Sequence, residues 1–169
     1  PIARRLSTGK TLTVAVILPF LTRPAETERL SGIVSALAKS EYDLVIHGVE
    51  EPEQRATYLQ TIPRREHADG VLIISISPND KEAAQLSNAH VPIVLIDADH
   101  PTLTMLDRVT VDDIAGGQAV TDYLVSLGHV KIGFVGDIID NPYSFTSSRD
   151  RYAGYCRSLK AAGLPLRED

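Results

Sequence analysis

Five short apolar runs punctuate the chain: TVAVILP, YDLVIHG, GVLIISIS, VPIVLID and KIGFVG. Each is closed by a turn residue and followed by a stretch long enough for a helix. Val and Ile dominate them, and too few polar residues intervene to leave one face in water, so they predict strands buried on both faces. Strands alternating with helices build an α/β fold, here a doubly wound, mostly parallel sheet with flanking helices. In such a sheet the ligand crevice lies beyond the carboxyl ends of the strands, so the residues just after each run become the candidates for function.

The runs place strands at about residues 13–18, 43–48, 70–75, 92–97 and 131–135. Leu30, Ile33, Val34, Leu37 and Ala38 form one helical stripe within 26–39. Glu50, Glu51 and Glu53 with Pro52 mark the start of a second helix, which Pro63 ends or kinks near Thr61. Ser77, Pro78 and Asp80 predict a third helix start with Ser77 as its cap. Val109 to Val111 reads as a short extra strand before Asp112 or Asp113 caps a helix running to about Leu127, which Gly128 stops in the left-handed conformation. A last helix covers about 148–162, ended by Gly163 and Pro165. That helix returns from the fifth strand with no sixth strand to feed. The fifth strand is therefore either an edge of the first sheet or the opening of a second lobe.

Length and charge sharpen the picture. The 169 residues suffice for one domain and part of another. The formal charge of −5 is uneven: Arg4, Arg5 and Lys10 stand among the first ten residues without an acid, leaving 14 basic against 22 acidic side chains elsewhere. A basic arm on an acidic body is one reading, a solvated terminus the other. Cys156 is the single cysteine, which rules out a disulfide within the chain and suits a reducing interior. No run approaches the roughly 20 apolar residues that span a bilayer, and no signal-like segment precedes the first strand, so the expectation is a cytoplasmic protein without a membrane partner.

Candidate chemistry is sparse. Asp97 ends a buried strand, where its two acceptor oxygens suit a hydroxyl-rich ligand or else cap a turn around Ala98 to Pro101. Arg151 lies early in the last helix, where its fork of donors either binds ligand oxygens or points to solvent. The loop Gly136, Asp137, Ile138 lacks the glycine spacing and the lysine of a phosphate cradle. Asp112 and Asp113 read as helix caps rather than metal ligands. His47, His67, His90, His100 and His129 are scattered, none spaced to pair with Ser or Cys. The expectation is a protein that is not an enzyme and carries no cofactor or metal.

Several segments in order resemble one family. RRLSTGKT before strand one, DGVLI at strand three, VPIVLID at strand four, VTVDD before a helix, LGHVKIGFVG at strand five and RYAGY in the last helix follow the spacing of the LacI/GalR family of bacterial transcription regulators, over essentially the whole chain. The resemblance implies a two-lobed, periplasmic-binding-protein-like effector domain, with residues 1–10 as the end of a hinge to a DNA-binding module missing from this chain. Residues 11–127 would be the amino-terminal lobe and 128–169 the start of an incomplete second lobe. It further implies a homodimer, operator DNA as the partner of the missing module, and a sugar-like or related small effector held in the interlobe cleft, where lobe motion couples it to operator binding.

On the same ground Leu6 would wedge into the DNA minor groove while Arg4 and Arg5 neutralise phosphates. The candidate effector-binding residues are Phe20, Arg23, Glu26, Ser75, Asp97, Phe145 and Arg151. The loop after strand one departs from the family: where many members have Asn, Pro, Phe, Phe, this chain has Arg23, Pro24, Ala25, Glu26, so the aromatic clamp is expected to be lost. Two rivals remain. A sugar transporter's solute-binding protein predicts an export signal and no basic hinge, and a flavodoxin-like or nucleotide-dependent enzyme needs a glycine-rich loop after strand one, where Pro19, Phe20 and Leu21 stand.

Overall fold

The computed structural model describes residues 9–138 and 141–166. Arg4, Arg5 and Leu6 lie outside the described residues. In chain order the elements are β1 (Thr13–Pro19), α1 (Pro24–Leu37), β2 (Asp43–Val49), α2 (Pro52–Thr61), β3 (Gly70–Ile74), α3 (Asp80–Ser87), β4 (Ile93–Ile96), β5 (Asp107–Val109), α4 (Asp113–Ser126) and α5 (Ser147–Ala161). The chain divides into two compact units. One holds the chain up to Thr110 together with Pro142–Ser144; the other holds Val111–Asn141 and the chain from Phe145 onward.

The first unit is built on a five-stranded sheet of order β2-β1-β3-β4-β5, parallel throughout. Alternate residues of β1 feed two separate cores, because successive side chains of a strand point to opposite faces. Ala15 and Ile17 join Val49, Leu59, Ile73, Leu86 and Leu95 on the face that α2 and α3 cover. Val16 and Leu18 join Leu30 of α1 and Ile74 on the other. A strand buried on both sides can afford no polar alternation, which is why β1 and β3 read as unbroken apolar runs. The entry to the sheet is pinned by Asp69, whose two carboxylate oxygens accept the backbone N–H groups of Thr11 (3.0 Å) and Leu12 (2.8 Å).

Three expectations need correction. The fifth apolar run is not a strand: residues 130–138 have no strand partner among the described residues, and Val135 and Ile138 are exposed. The run keeps the period of two, but only its inner side chains find a surface: Ile132 and Phe134 are half-buried, the Phe134 ring lies 5.3 Å from that of Tyr152 on α5, and Tyr155 donates to the Ile132 carbonyl at 2.7 Å. The fifth strand of the sheet is instead the three-residue β5, where the sequence suggested a short extra strand slightly later. Ser77 does not cap α3. Asn79 does, accepting from the Glu82 amide at 2.9 Å while Glu82 accepts from the Asn79 amide at 2.8 Å, a reciprocal box that satisfies two donors.

Helix α4 lies with α5 in the second unit. Two glycines explain that pairing. A Cβ on Gly117 would stand 2.2 Å from the Arg151 carbonyl oxygen, and one on Gly154 would stand 2.1 Å from that of Ile114, so the two helices meet backbone to backbone. Other signals match the structure. Asp112 caps α4 through the Ala115 amide (2.9 Å), Gly128 follows that helix at φ +87°, and α2 stops at Thr61 ahead of Pro63.

Candidate functional site

The site is assembled at the carboxyl rim of the sheet in the first unit. Leaving β1, the chain turns to β2 by α1 on one face, and from β2 it returns to β3 by α2 on the other, so the strand order reverses between β1 and β3. Crevices open at that switch point. Three non-glycine residues there adopt the left-handed backbone region: Phe20 after β1 (φ +47°), Ser75 after β3 (+57°) and Asp97 after β4 (+52°). Each such residue costs on the order of 1–3 kcal/mol and persists only where its surroundings fix it. The surroundings do so for two of them. Ser75 N–H donates to the Ile96 carbonyl and Asp97 N–H to the Val109 carbonyl, both at 2.8 Å, which extends the ladder one step past the strands.

Asp97 is joined to α1 by an ion pair with Arg29, whose NH2 group donates to its Oδ2. The other terminal nitrogen of Arg29 lies 3.6 Å from Glu26 Oε1. Glu26 is 5 % exposed, and its Oε2 accepts no hydrogen bond among the described residues. Two carboxylates thus share one guanidinium, and the sharing is unequal. A ligand donor reaching this point would find acceptor capacity on both acids, and an apolar ligand would leave Glu26 uncompensated.

An aromatic pair stands just past the end of β1. The Arg23 guanidinium sits 4.1 Å from the centroid of the Phe20 ring, and the Tyr143 ring packs edge-on to Phe20 at 4.8 Å. Tyr143 donates its hydroxyl to the Glu50 carbonyl at 2.8 Å. Partial desolvation, then the carboxylates of Glu51, Glu50 and Glu53, push the Tyr143 phenol above its ordinary pKa. The ring that meets Phe20 thus comes from far along the chain rather than from the loop after β1.

The structure thus gathers Phe20, Arg23, Glu26, Ser75 and Asp97 on one rim. Phe145 and Arg151 belong to the second unit. Phe145 exchanges two hydrogen bonds with the Asn141 side chain, one through its N–H at 3.0 Å and one through its carbonyl at 3.3 Å. Arg151 Nε donates to Asp113 at 2.7 Å, and more than half of its side chain is exposed. Sequence reasoning missed Arg29 and Tyr143. Nothing local links Arg29 to an aspartate 68 positions away, although its place one turn after Glu26 on α1 was a visible hint.

A separate groove of about 560 Å³ lies at the opposite rim, between the ends of α2 and α3, with Leu59, Pro63 and Ala89 among its lining and Arg64, Arg65 and His90 beside them. Arg65 is engaged there with the His90 carbonyl at 3.2 Å. No cluster of three or more metal-ligating side chains occurs among the described residues, and no helix among them is long and apolar enough to cross a membrane.

The chain is similar to known proteins. Catabolite control protein A of Priestia megaterium is 25 % identical over 167 residues, covering 99 % of this chain and 49 % of its own length. The ribose operon repressor of Escherichia coli K12 is 28 % identical over 167 residues, covering 98 % and 49 %. A solved structure of the transcription regulator GntR from Chromobacterium violaceum superposes with a TM-score of 0.75 at 27 % identity, covering 91 % of this chain and 54 % of that one. The chain spans about half the length of the curated relatives it matches. Residues 11–169 match the family of periplasmic binding proteins and the sugar binding domain of the LacI family, and the chain belongs to that family.

Proposed function

We propose that this chain is the effector-sensing core of a LacI-type transcriptional regulator, which binds a small sugar-like compound and passes the binding energy to a DNA-binding module outside these residues. The observation that carries the reading is the strand-end constellation: a left-handed Asp97 whose carboxylate is fixed by Arg29, on the same carboxyl rim as the aromatic pair of Phe20 and Tyr143. Paired carboxylate and guanidinium groups recognise hydroxyls through charge-assisted hydrogen bonds, while an aromatic face accepts the apolar side of a sugar ring. The curated relatives named above are a control protein and a repressor, which favours regulation over solute capture for transport. The role is binding rather than catalysis, the setting is cytoplasmic, and the complete regulator acts as a homodimer on operator DNA.

Arg151 is proposed as a further effector contact. Its Nε is committed to Asp113, and its terminal nitrogens make no other hydrogen bond among the described residues. Switching a two-state protein from 1:99 to 99:1 takes about 5.5 kcal/mol of differential binding. Charge-assisted hydrogen bonds of roughly 1.5–3 kcal/mol each supply this with two to four contacts. The test is titration calorimetry of the full-length regulator against pentoses, hexoses, disaccharides and purines. Replacing Asp97→Ala should weaken the compound that binds by roughly 10- to 150-fold. Unchanged affinity would remove Asp97 from the site and the reading with it.

A further inference from the structure

We infer that Arg55 is a positioning residue for the effector rim, holding Tyr143 against Phe20 through the segment Pro142–Ser144. Its place in an effector site rests on the function proposed above; its control of Tyr143 does not. Arg55 stands on α2 and is only 6 % exposed. Its two terminal nitrogens have different tasks. NH2 donates to the Ser77 carbonyl and to Glu82, both at 2.7 Å, which seals a buried ion pair between α2 and α3. NH1 donates to the Pro142 carbonyl at 2.9 Å and to the Ser144 hydroxyl at 3.1 Å.

Those acceptors flank Tyr143 on either side, and Ser144 is itself left-handed at φ +59°. The three-residue strap is thus gripped at both ends by one buried guanidinium, while the tyrosine between them reaches out to Glu50 and Phe20. The partners come from residues nearly 90 positions later in the chain, so the aromatic pair exists only when the strap is docked. A planar fork can serve both sets of acceptors at once; an ammonium on a flexible stem cannot.

That difference makes the test. In Arg55→Lys the charge opposite Glu82 is kept but the grip on the strap is lost, whereas Arg55→Met removes both. With three phenylalanines and six tyrosines in the sequence, selectively labelled protein gives a sparse aromatic spectrum, and Phe20→Leu and Tyr143→Phe assign it. The Phe20–Tyr143 ring cross-peak expected from the 4.8 Å contact should be present in the parent chain and lost in Arg55→Lys, with amide protection of β1 and β3 unchanged. Persistence of the cross-peak in both Arg55 variants overturns the inference. So does its loss only alongside β1 and β3 protection, since Arg55 would then serve stability alone. No effector enters this experiment, so a rim that binds no sugar in calorimetry leaves its result standing.

Discussion

Adjacent glycines in α4 should respond to the same substitution with opposite signs. A methyl group on Gly116 meets nothing within 4 Å, so Gly116→Ala brings only the gain in helix propensity, about 0.8–1.0 kcal/mol of added stability. A methyl group on Gly117 would stand 2.2 Å from the Arg151 carbonyl oxygen, 2.9 Å from its carbonyl carbon and 3.0 Å from its Cα. These are backbone atoms and cannot swing aside. The helices must part by about 1 Å, which forfeits a quarter to a half of each dispersion contact along the seam. Overpacking of this kind costs about 1–3 kcal/mol, and the rigid obstacle puts Gly117→Ala at the upper end, so a net loss of about 1–2 kcal/mol remains after the propensity gain. Gly154→Ala should cost a similar amount, and the double variant less than the sum, because one separation relieves both clashes. Urea unfolding followed by far-ultraviolet circular dichroism reads the midpoints. A Gly117→Ala midpoint as high as that of Gly116→Ala would refute the backbone-to-backbone packing.

The buried Arg55–Glu82 pair predicts a second asymmetry: Arg55→Met strands a carboxylate and should cost about 3–5 kcal/mol, whereas Arg55→Met with Glu82→Met should recover most of it in the same unfolding assay. A double variant no more stable than the single would show that the cost does not come from a stranded carboxylate. His47 gives a pH signature. Burial, then the charge of His67, lowers its pKa below the ordinary 6.5. The unfolded chain therefore takes up this proton first as the pH falls, and stability present in full above pH 6.5 is lost as the pH drops towards the folded value. His47→Gln should flatten the slope of the unfolding midpoint below pH 6.5, and an unaltered slope would place the titration elsewhere.

Much of the fold was readable because burial on both faces leaves its mark in composition. β3 and β4 carry no polar residue and β1 only Thr13 at its start, and the punctuating residues Asp112, Gly128 and Pro63 act locally, where sequence spacing equals spatial spacing. Reading failed where the partner was remote. The run at 130–135 has the pattern of a strand, but a strand is defined by its neighbour, and none pairs with it among the described residues. Ser77 has an acid three residues on, Asp80, but so has Asn79, and it is the longer Glu82 that reaches back to its cap. At the candidate site, Asp97 followed from the rule that strand ends face the crevice, and Phe20 and Ser75 came from the family resemblance. Arg29 and Tyr143 came from neither, because their relevance comes from helix placement and from a strap that returns across more than a hundred residues.

Backbone amide shift mapping tests the central claim most directly. Titration of the isotope-labelled protein with the compound that calorimetry selects should move the amides of Phe20, Ser75 and Asp97 together, at the carboxyl ends of β1, β3 and β4. Shifts confined to the opposite rim, at Gln60, Arg64, Gln85 and His90, with those three amides unmoved, would contradict it.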